Sequence, residues 1–152
     1  MATKVEHLLA RKTHHVWSLE PDASVSDAVS IFGRQEIGAV LICEGSSLVG
    51  LLTERDCVRN LLFQDRATLS SPVRAVMRTD IIAVSPQDSI EHCMGLMNDR
   101  RTRYLPVVDQ GWVVGVISIG DVINTLLREK ESLIDALEGY ISGSPSARPP
   151  AH

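Results

Sequence analysis

Apolar residues recur at intervals of three and four positions in two segments of the chain. The segments are VSDAVSIF, which follows Ser24, and IEHCMGLM, which follows Ser89. Such spacing places the apolar side chains on one face of a helix. A serine directly before the first apolar residue is a favoured N-cap. The pattern therefore predicts two amphipathic helices, each beginning just after its serine.

Continuous apolar stretches follow each of these helices. AVLIC and LVGLL are joined by EGSS, and YLPVVD and WVVGVIS are joined by QG. Short apolar runs separated by a glycine-bearing turn predict pairs of neighbouring strands. A further short strand is predicted ahead of each helix, at residues 16–19 and 81–84. A second helix is predicted after each strand pair, from about Asp56 to Phe63 and from about Asp121 to Arg128.

The two sets of elements are copies of one unit. GLLTERD begins at Gly50 and GVISIGD at Gly115, and the same offset of 65 residues aligns Ser24 with Ser89. Each copy has the order β-α-β-β-α, and one copy alone is too small to bury its apolar sheet face. The predicted fold is α/β (α+β): two β-α-β-β-α repeats packed sheet to sheet with pseudo-two-fold symmetry, sharing one core.

Boundaries follow from this repeat. We expect an N-terminal lead-in with a helix at residues 1–15, a first repeat at 16–64, and a linker that we call the central lead-in at 65–80. The second repeat with a C-terminal helix extends over 81–141. The remaining residues, 142–152, are rich in Pro and Ser and have little to bury, so they are predicted to be a disordered tail.

Composition narrows the function classes. The formal net charge is −4 and no basic cluster is present, which argues against nucleic acid and anionic membranes as partners. No apolar run approaches the roughly 20 residues that span a bilayer, and no signal-peptide pattern is seen. These features favour a cytoplasmic protein. Three cysteines without paired spacing indicate reduced thiols.

Each repeat carries a hydroxyl three residues ahead of an aspartate: Thr53 before Asp56, and Ser118 before Asp121. One reading is purely structural, because this pattern also forms a helix cap worth about 1 kcal/mol. The other reading is a ligand site. A hydroxyl at a helix start can donate to a phosphate, and a carboxylate can accept hydrogen bonds from both hydroxyls of a ribose.

The motifs together resemble a known family. The Gly-apolar-apolar-Thr/Ser-x-x-Asp pattern, used twice, and RTRYLPVVDQGWVVGVISIGDV in the second repeat are similar to the CBS domain. A tandem pair of CBS domains is called a Bateman module, and the resemblance to stand-alone pairs covers about residues 3–141. The first repeat departs from the pattern, since VLICE replaces LPVVD.

The resemblance implies an adenosyl ligand in the cleft between the repeats. Asp56 and Asp121 would bind ribose, and Thr53 and Ser118 would meet the phosphate. Arg103 and Arg101 would add positive charge. The positions that would enclose the base in the first repeat are Ala23, Ala28, Ile37 and Gly38. Because the first repeat has no arginine at the equivalent position, two unequal clefts are expected.

The expected function is therefore regulatory. The module would bind an adenine nucleotide, with AMP favoured, and signal occupancy in energy sensing. ATP, NAD(H) or S-adenosylmethionine as ligand, or a ligand-free dimerisation scaffold, are the alternatives. The resemblance also implies a homodimer and an unidentified protein partner. The sequence lacks the common catalytic and nucleotide-hydrolysis motifs, so we expect no enzyme, no catalytic residue or cofactor, and no metal.

Overall fold

The structure, a computed structural model, describes residues 3–12 and 15–141. It is a mixed α/β fold with two small sheets flanked by helices. The helices and strands are α1 (Val5–Arg11), β1 (Ser18–Leu19), α2 (Val25–Gln35), β2 (Ala39–Glu44), β3 (Ser47–Thr53), α3 (Glu54–Val58), α4 (Ile90–Arg100), β4 (Tyr104–Asp109), β5 (Trp112–Ser118) and α5 (Ile119–Ile141). The predicted disordered tail, 142–152, lies outside the described residues.

Each of the two sheets contains an antiparallel hairpin of the same form, but the sheets differ at their first strand. In the first repeat, β2 pairs with β3 in antiparallel fashion and β1 adds in parallel, with Ser18 opposite Leu41. In the second repeat, β4 and β5 form the same antiparallel hairpin. The strand predicted at 81–84 is reduced to one parallel bridge between Val84 and Val107.

The helices follow the predicted pattern, with one difference in the first repeat. Ser24 and Ser89 each accept a hydrogen bond from the backbone N–H three residues later, at 3.1 Å, which confirms both predicted N-caps. In the first repeat, α3 is short and continues as a π-helical turn, Arg59–Phe63. In the second repeat, the predicted helix and the segment after it form the single 23-residue helix α5.

Most buried apolar residues of the described chain fall into two clusters, one in each repeat, rather than into the single shared core that was expected; Leu41 and Leu51 are buried outside both clusters. The first-repeat cluster is completed by Val73 and Val76 of the central lead-in. The second-repeat cluster is completed by Val5 and Leu8 of α1. Each repeat thus buries its apolar face mainly against its own helices, and a lead-in supplies the missing piece.

The lead-ins are attached in equivalent ways. In the N-terminal lead-in, Lys4 bridges Ser89 in the second repeat, and in the central lead-in, Pro72 bridges Ser24 in the first. The N-terminal lead-in therefore skips the repeat that follows it and docks on the distant one. The central lead-in docks on the repeat before it. This exchange interlocks the two halves of the chain.

Candidate functional site

The hydroxyls of the two motifs line two different clefts between the repeats, Thr53 in one and Ser118 in the other. The larger, which we call the arginine cleft, has a volume of about 650 Å³. Five arginines and one carboxylate, Glu54, are among its lining residues. The arginines are Arg55, Arg59, Arg78, Arg101 and Arg103. This cleft therefore has a strong excess of positive charge.

The smaller, which we call the lysine cleft, has a volume of about 350 Å³. Its lining includes one lysine, Lys12, and one carboxylate, Glu36. Apolar and aromatic groups, Val16 and Trp17 among them, form much of the remainder. The two clefts are thus unequal in size and charge, as expected from the missing arginine in the first repeat.

The repeats contribute to each cleft crosswise. Thr53 of the first repeat lies in the arginine cleft with Thr102 and Arg103 of the second. Ile37 and Gly38 of the first repeat lie in the lysine cleft with Ser118 of the second, and Gly38 also reaches the arginine cleft. Each cleft therefore joins the segment before a central strand of one repeat to the helix start of the other.

The turn that delivers these segments is the same in both repeats. Helices α2 and α4 end at Glu36 and Arg101, which adopt left-handed conformations with φ of 54° and 51°. A residue in this conformation ends a helix and redirects the chain. It sends Ile37 and Thr102 into the clefts directly afterwards.

Tyr104 forms the wall between the clefts. It lines both of them, and its phenol oxygen lies against the α-carbon of Gly38. A β-carbon at Gly38 would overlap the phenol oxygen and would come within 3.1 Å of the ring carbon that bears it. The equivalent residue of the first repeat is Ala39, so only one repeat supplies this wall. The absence of a side chain at Gly38 is what leaves room for the tyrosine ring between the clefts.

Both hydroxyls of the motif cap a helix. Thr53 Oγ1 accepts from the backbone N–H of Asp56 at 3.0 Å, and Ser118 Oγ accepts from that of Asp121 at 3.1 Å. The structural reading of the motif is therefore realised. A hydroxyl that accepts in this way keeps its own O–H for donation, so the caps are compatible with a phosphate in the cleft.

Asp56 is held by an arginine of the central lead-in. Arg78 donates from Nε to Oδ2 at 2.8 Å and from its terminal nitrogen to Oδ1 at 3.1 Å. The Asp56 side chain is only 11% exposed, whereas that of Arg78 is 40% exposed. The hydrogen bond to Asp56 raises the pKa of Arg78 above its ordinary value. Arg78 lines the arginine cleft, and the aspartate lies behind it.

Asp121 is held in a similar way by a lysine of the N-terminal lead-in. Lys12 Nζ donates to Asp121 Oδ2 at 2.6 Å and also to the carbonyl oxygen of Val116 at 2.9 Å. The same carboxylate oxygen accepts from the backbone N–H of Ser118 at 2.9 Å. Burial acts to raise the pKa of Asp121, but the hydrogen bonds from Lys12 and Ser118 outweigh it, and the pKa is lowered.

The comparison with protein families decides the assignment. The model of the CBS domain matches residues 5–62 and again residues 73–128. The chain belongs to the CBS-domain family. Among curated relatives, the mitochondrial CBS domain-containing protein CBSX3 of Arabidopsis thaliana is 33% identical over 127 residues, which is 80% of this chain and 62% of the relative.

Solved structures support the same fold for this CBS pair. The CBS-domain containing protein ATU1752 from Agrobacterium tumefaciens is 32% identical, with a TM-score of 0.75 over 81% of this chain and 98% of that one. The CBS domain protein PAE2072 from Pyrobaculum aerophilum, complexed with AMP, has a TM-score of 0.69 at 22% identity and covers 78% of this chain and 88% of its own. The CBS domain pair of protein MJ0100, in complex with 5′-methylthioadenosine and S-adenosyl-L-methionine, has a TM-score of 0.73 at 21% identity, over 86% and 99%. The last two likenesses concern the fold alone.

Not every residue predicted for the site lies in a cleft of this CBS pair. Arg101 and Arg103 line the arginine cleft. Ala28, in contrast, is fully buried in the first-repeat core, and Ala23 packs against that core. Sequence reasoning missed Lys12, Arg78 and Tyr104. The first two carry a weak signal, since each is a cation just after the apolar stretch of a lead-in.

Two further features bear on the chemistry of the CBS pair. Within residues 3–12 and 15–141, no three side chains of His, Cys, Asp or Glu are grouped so that they could hold a metal ion. Across those same residues, no helix combines the length and apolarity that crossing a bilayer requires.

Proposed function

We propose that this CBS pair is a regulatory module that binds an adenine nucleotide in the arginine cleft. The observation that carries the proposal is the meeting of Thr53 with Arg101 and Arg103 in one cavity. A hydroxyl at the start of a helix and several guanidinium groups form a favourable environment for phosphate oxygens. The neighbours that hold AMP and S-adenosyl-L-methionine support an adenosyl ligand for this fold.

In the proposed complex, the base lies against the segments before the central strands and the ribose lies near an aspartate. AMP is the first ligand to test. Five arginines line the cleft, which is more than one phosphate group can contact, so ADP and ATP are expected to bind the arginine cleft at least as tightly as AMP. The lysine cleft, with one lysine and one glutamate, suits an adenosyl ligand of low net charge, such as S-adenosylmethionine.

Ligand binding is tested directly by native mass spectrometry of the purified protein and by calorimetric titration with AMP, ATP and S-adenosylmethionine. A ligand that binds only the folded chain increases its free energy of unfolding, by about 2.7 kcal/mol when the ligand concentration is 100 times Kd. The melting temperature rises as a result. We expect Arg103→Met to weaken AMP binding. Arg74→Met is the matched control, because Arg74 pairs with Asp22 on the surface away from both clefts. Equal affinity in both variants would remove Arg103 from the site.

We propose that the module signals ligand occupancy through its contacts with a second copy in a homodimer or with a separate protein partner. Several apolar side chains on the helices are at least 40% exposed, and they include Val29, Val58, Leu62, Ile123 and Leu127. A groove of about 540 Å³ between α2 and the α3 segment is lined mostly by apolar residues, and Val29, Val58 and Leu62 are among them. Helix faces of this kind are typical of protein interfaces.

Light scattering after gel filtration tests this part. The wild type is expected to elute as a dimer, and Leu62→Asp or Leu127→Asp as a monomer. Trp112→Ser is the control, since Trp112 is an equally exposed apolar residue that lies at a hairpin rather than on a helix. A monomeric wild type would contradict the homodimer.

An empty scaffold is the second candidate, and the cation on each aspartate favours it. An empty scaffold predicts no change in melting temperature with any adenosyl compound. Catalysis is not part of the proposal, and conversion of ATP or NAD to a product by the purified protein would contradict it. The cytoplasm stays a prediction for the compartment, and the Arabidopsis relative is named as mitochondrial.

A further inference from the structure

The two aspartates of the CBS pair are each covered by a cation that comes from a lead-in. Arg78 takes both carboxylate oxygens of Asp56, and Lys12 takes one carboxylate oxygen of Asp121. In each case the cation belongs to the lead-in that docks on the repeat carrying the aspartate. The arrangement is therefore a repeated feature of the pseudo-symmetric fold rather than an isolated surface pair.

The cations stand between the aspartates and the clefts. Arg78 lines the arginine cleft and Lys12 lines the lysine cleft, whereas neither aspartate is among the residues that line them. Asp121 instead faces a shallow depression of about 150 Å³ between α1 and α5, on the other side of Lys12. A ribose that enters either cleft meets the cation before it meets the carboxylate.

The geometry allows a cation to leave without unfolding the chain. Two backbone hydrogen bonds with Leu51, at 2.8 and 3.0 Å, fix the main chain of Arg78. Its side chain is 40% exposed and that of Lys12 is 30% exposed, so each has open space on one side. For Arg78 the motion is a change of side-chain rotamer, which occurs readily in partly exposed residues. For Lys12 the same motion also breaks the hydrogen bond from Nζ to the carbonyl oxygen of Val116.

We propose that Arg78 and Lys12 act as latches that set the ligand preference of the two clefts. From the cleft, a ligand reaches the carboxylate only if the cation moves aside, and a cation that loses its carboxylate is stabilised by a new anion. A phosphate in the same cleft supplies that anion, so a nucleotide compensates the lost ion pair and a nucleoside does not. The latches thus make the clefts discriminate against adenosine. This inference rests on the proposed binding of adenosyl ligands.

The latch is tested by titrating adenosine and AMP into the wild type, Arg78→Met and Lys12→Met. Removing the latch frees the carboxylate, so adenosine should bind Arg78→Met at least about tenfold more tightly, the equivalent of one charged hydrogen bond. AMP should gain less, because it also loses a phosphate partner. Arg74→Met, which breaks a surface arginine–aspartate pair outside the clefts, should leave both affinities unchanged.

A second measurement needs no variant. Arg78 Nε–H donates to Asp56 Oδ2, so its NMR signal reports the latch in the wild type. On addition of AMP, we expect this signal to shift and its exchange with water to become faster. Thr53 and Asp56 backbone signals provide an independent sign that AMP occupies the cleft.

The outcomes separate the two proposals. Tighter adenosine binding in Arg78→Met together with a displaced Nε–H signal would support the latch. AMP binding with an unchanged Nε–H signal and unchanged adenosine affinity would overturn the latch and leave the binding function intact. Failure of AMP, ATP, S-adenosylmethionine and adenosine to bind any of the proteins would overturn both.

Discussion

Gly38→Ala is the substitution that tests the wall between the clefts most sharply. The new β-carbon would overlap the phenol oxygen of Tyr104 and lie 3.1 Å from the adjacent ring carbon. The φ of Gly38 lies outside the left-handed region, so alanine is compatible with the backbone and the effect comes from the tyrosine alone. Either the ring leaves the wall or the two repeats separate slightly.

The expected cost follows from these contacts. Forcing an extra methyl group into a packed site costs about 1–3 kcal/mol. Replacing glycine by alanine where the backbone tolerates it stabilises the protein by about 0.4–1 kcal/mol, because the unfolded chain loses conformational entropy. The net loss is therefore about 0–2.6 kcal/mol, and each kcal/mol lowers the melting temperature by about 2–4 °C.

The assay is a double-mutant cycle by thermal and urea unfolding. In a Tyr104→Ala background the obstacle is gone, so Gly38→Ala should become neutral or stabilising, and the cycle should show a coupling equal to the packing cost, about 1–3 kcal/mol. Gly33→Ala is the matched control, because Gly33 lies inside α2 with nothing within 4 Å of its β-carbon position. It should stabilise the protein by about 0.5–1 kcal/mol. Equal effects of Gly38→Ala with and without the tyrosine would refute the account of the wall.

Three further predictions concern the site and its surroundings. Asp121→Ala should weaken binding of a nucleotide that uses the lysine cleft by about 1–3 kcal/mol in a calorimetric titration, the loss of a charged hydrogen-bond partner. The Lys12–Asp121 pair should stabilise the fold above the ordinary aspartate pKa of 3.8 by about 0.5–1 kcal/mol, and this contribution should decrease below pH 3.8 and disappear as the pH falls through the lowered folded-state value. Urea unfolding of wild type and Asp121→Asn at pH 7 and pH 3 should show a smaller difference at pH 3 than at pH 7. Burial raises the pKa of Cys57 and Cys93 to about 11, with a smaller contribution from neighbouring carboxylates; both thiols should react slowly with a thiol reagent at pH 8 until denaturant is added, and rapid reaction of the native protein would contradict their burial.

The elements that depend on local spacing could be predicted from the sequence. The serine caps and the apolar faces of α2 and α4 are encoded within a dozen residues, and the repeat doubles the signal. The strand expected at 81–84 is the exception. Its residues are apolar, but only Val84 pairs with a neighbouring strand, because pairing depends on where the distant strand β4 lies.

The site was harder to predict than the fold. Thr53 and Ser118 could be placed at helix starts from the motif, but the partner repeat that completes each cleft depends on how two similar halves face each other. Lys12 and Arg78 are single cations in polar segments, and such residues are usually solvated. Their importance depends on the crossing of the lead-ins, which no local pattern encodes, because a short amphipathic helix such as α1 carries no signal for which of two similar repeats it packs on.

The exchange of lead-ins affects whether one half of the protein could fold when it is expressed alone, and how the two-repeat chain could have evolved. An isolated half, cut from the chain with the segment that precedes it, would carry that segment in the wrong place and lack the apolar residues that its own sheet requires. Two identical halves could satisfy each other only by trading those segments reciprocally, as in a domain-swapped pair. A single-unit ancestor would then have been an obligate dimer, and gene fusion would have turned that partnership into one chain.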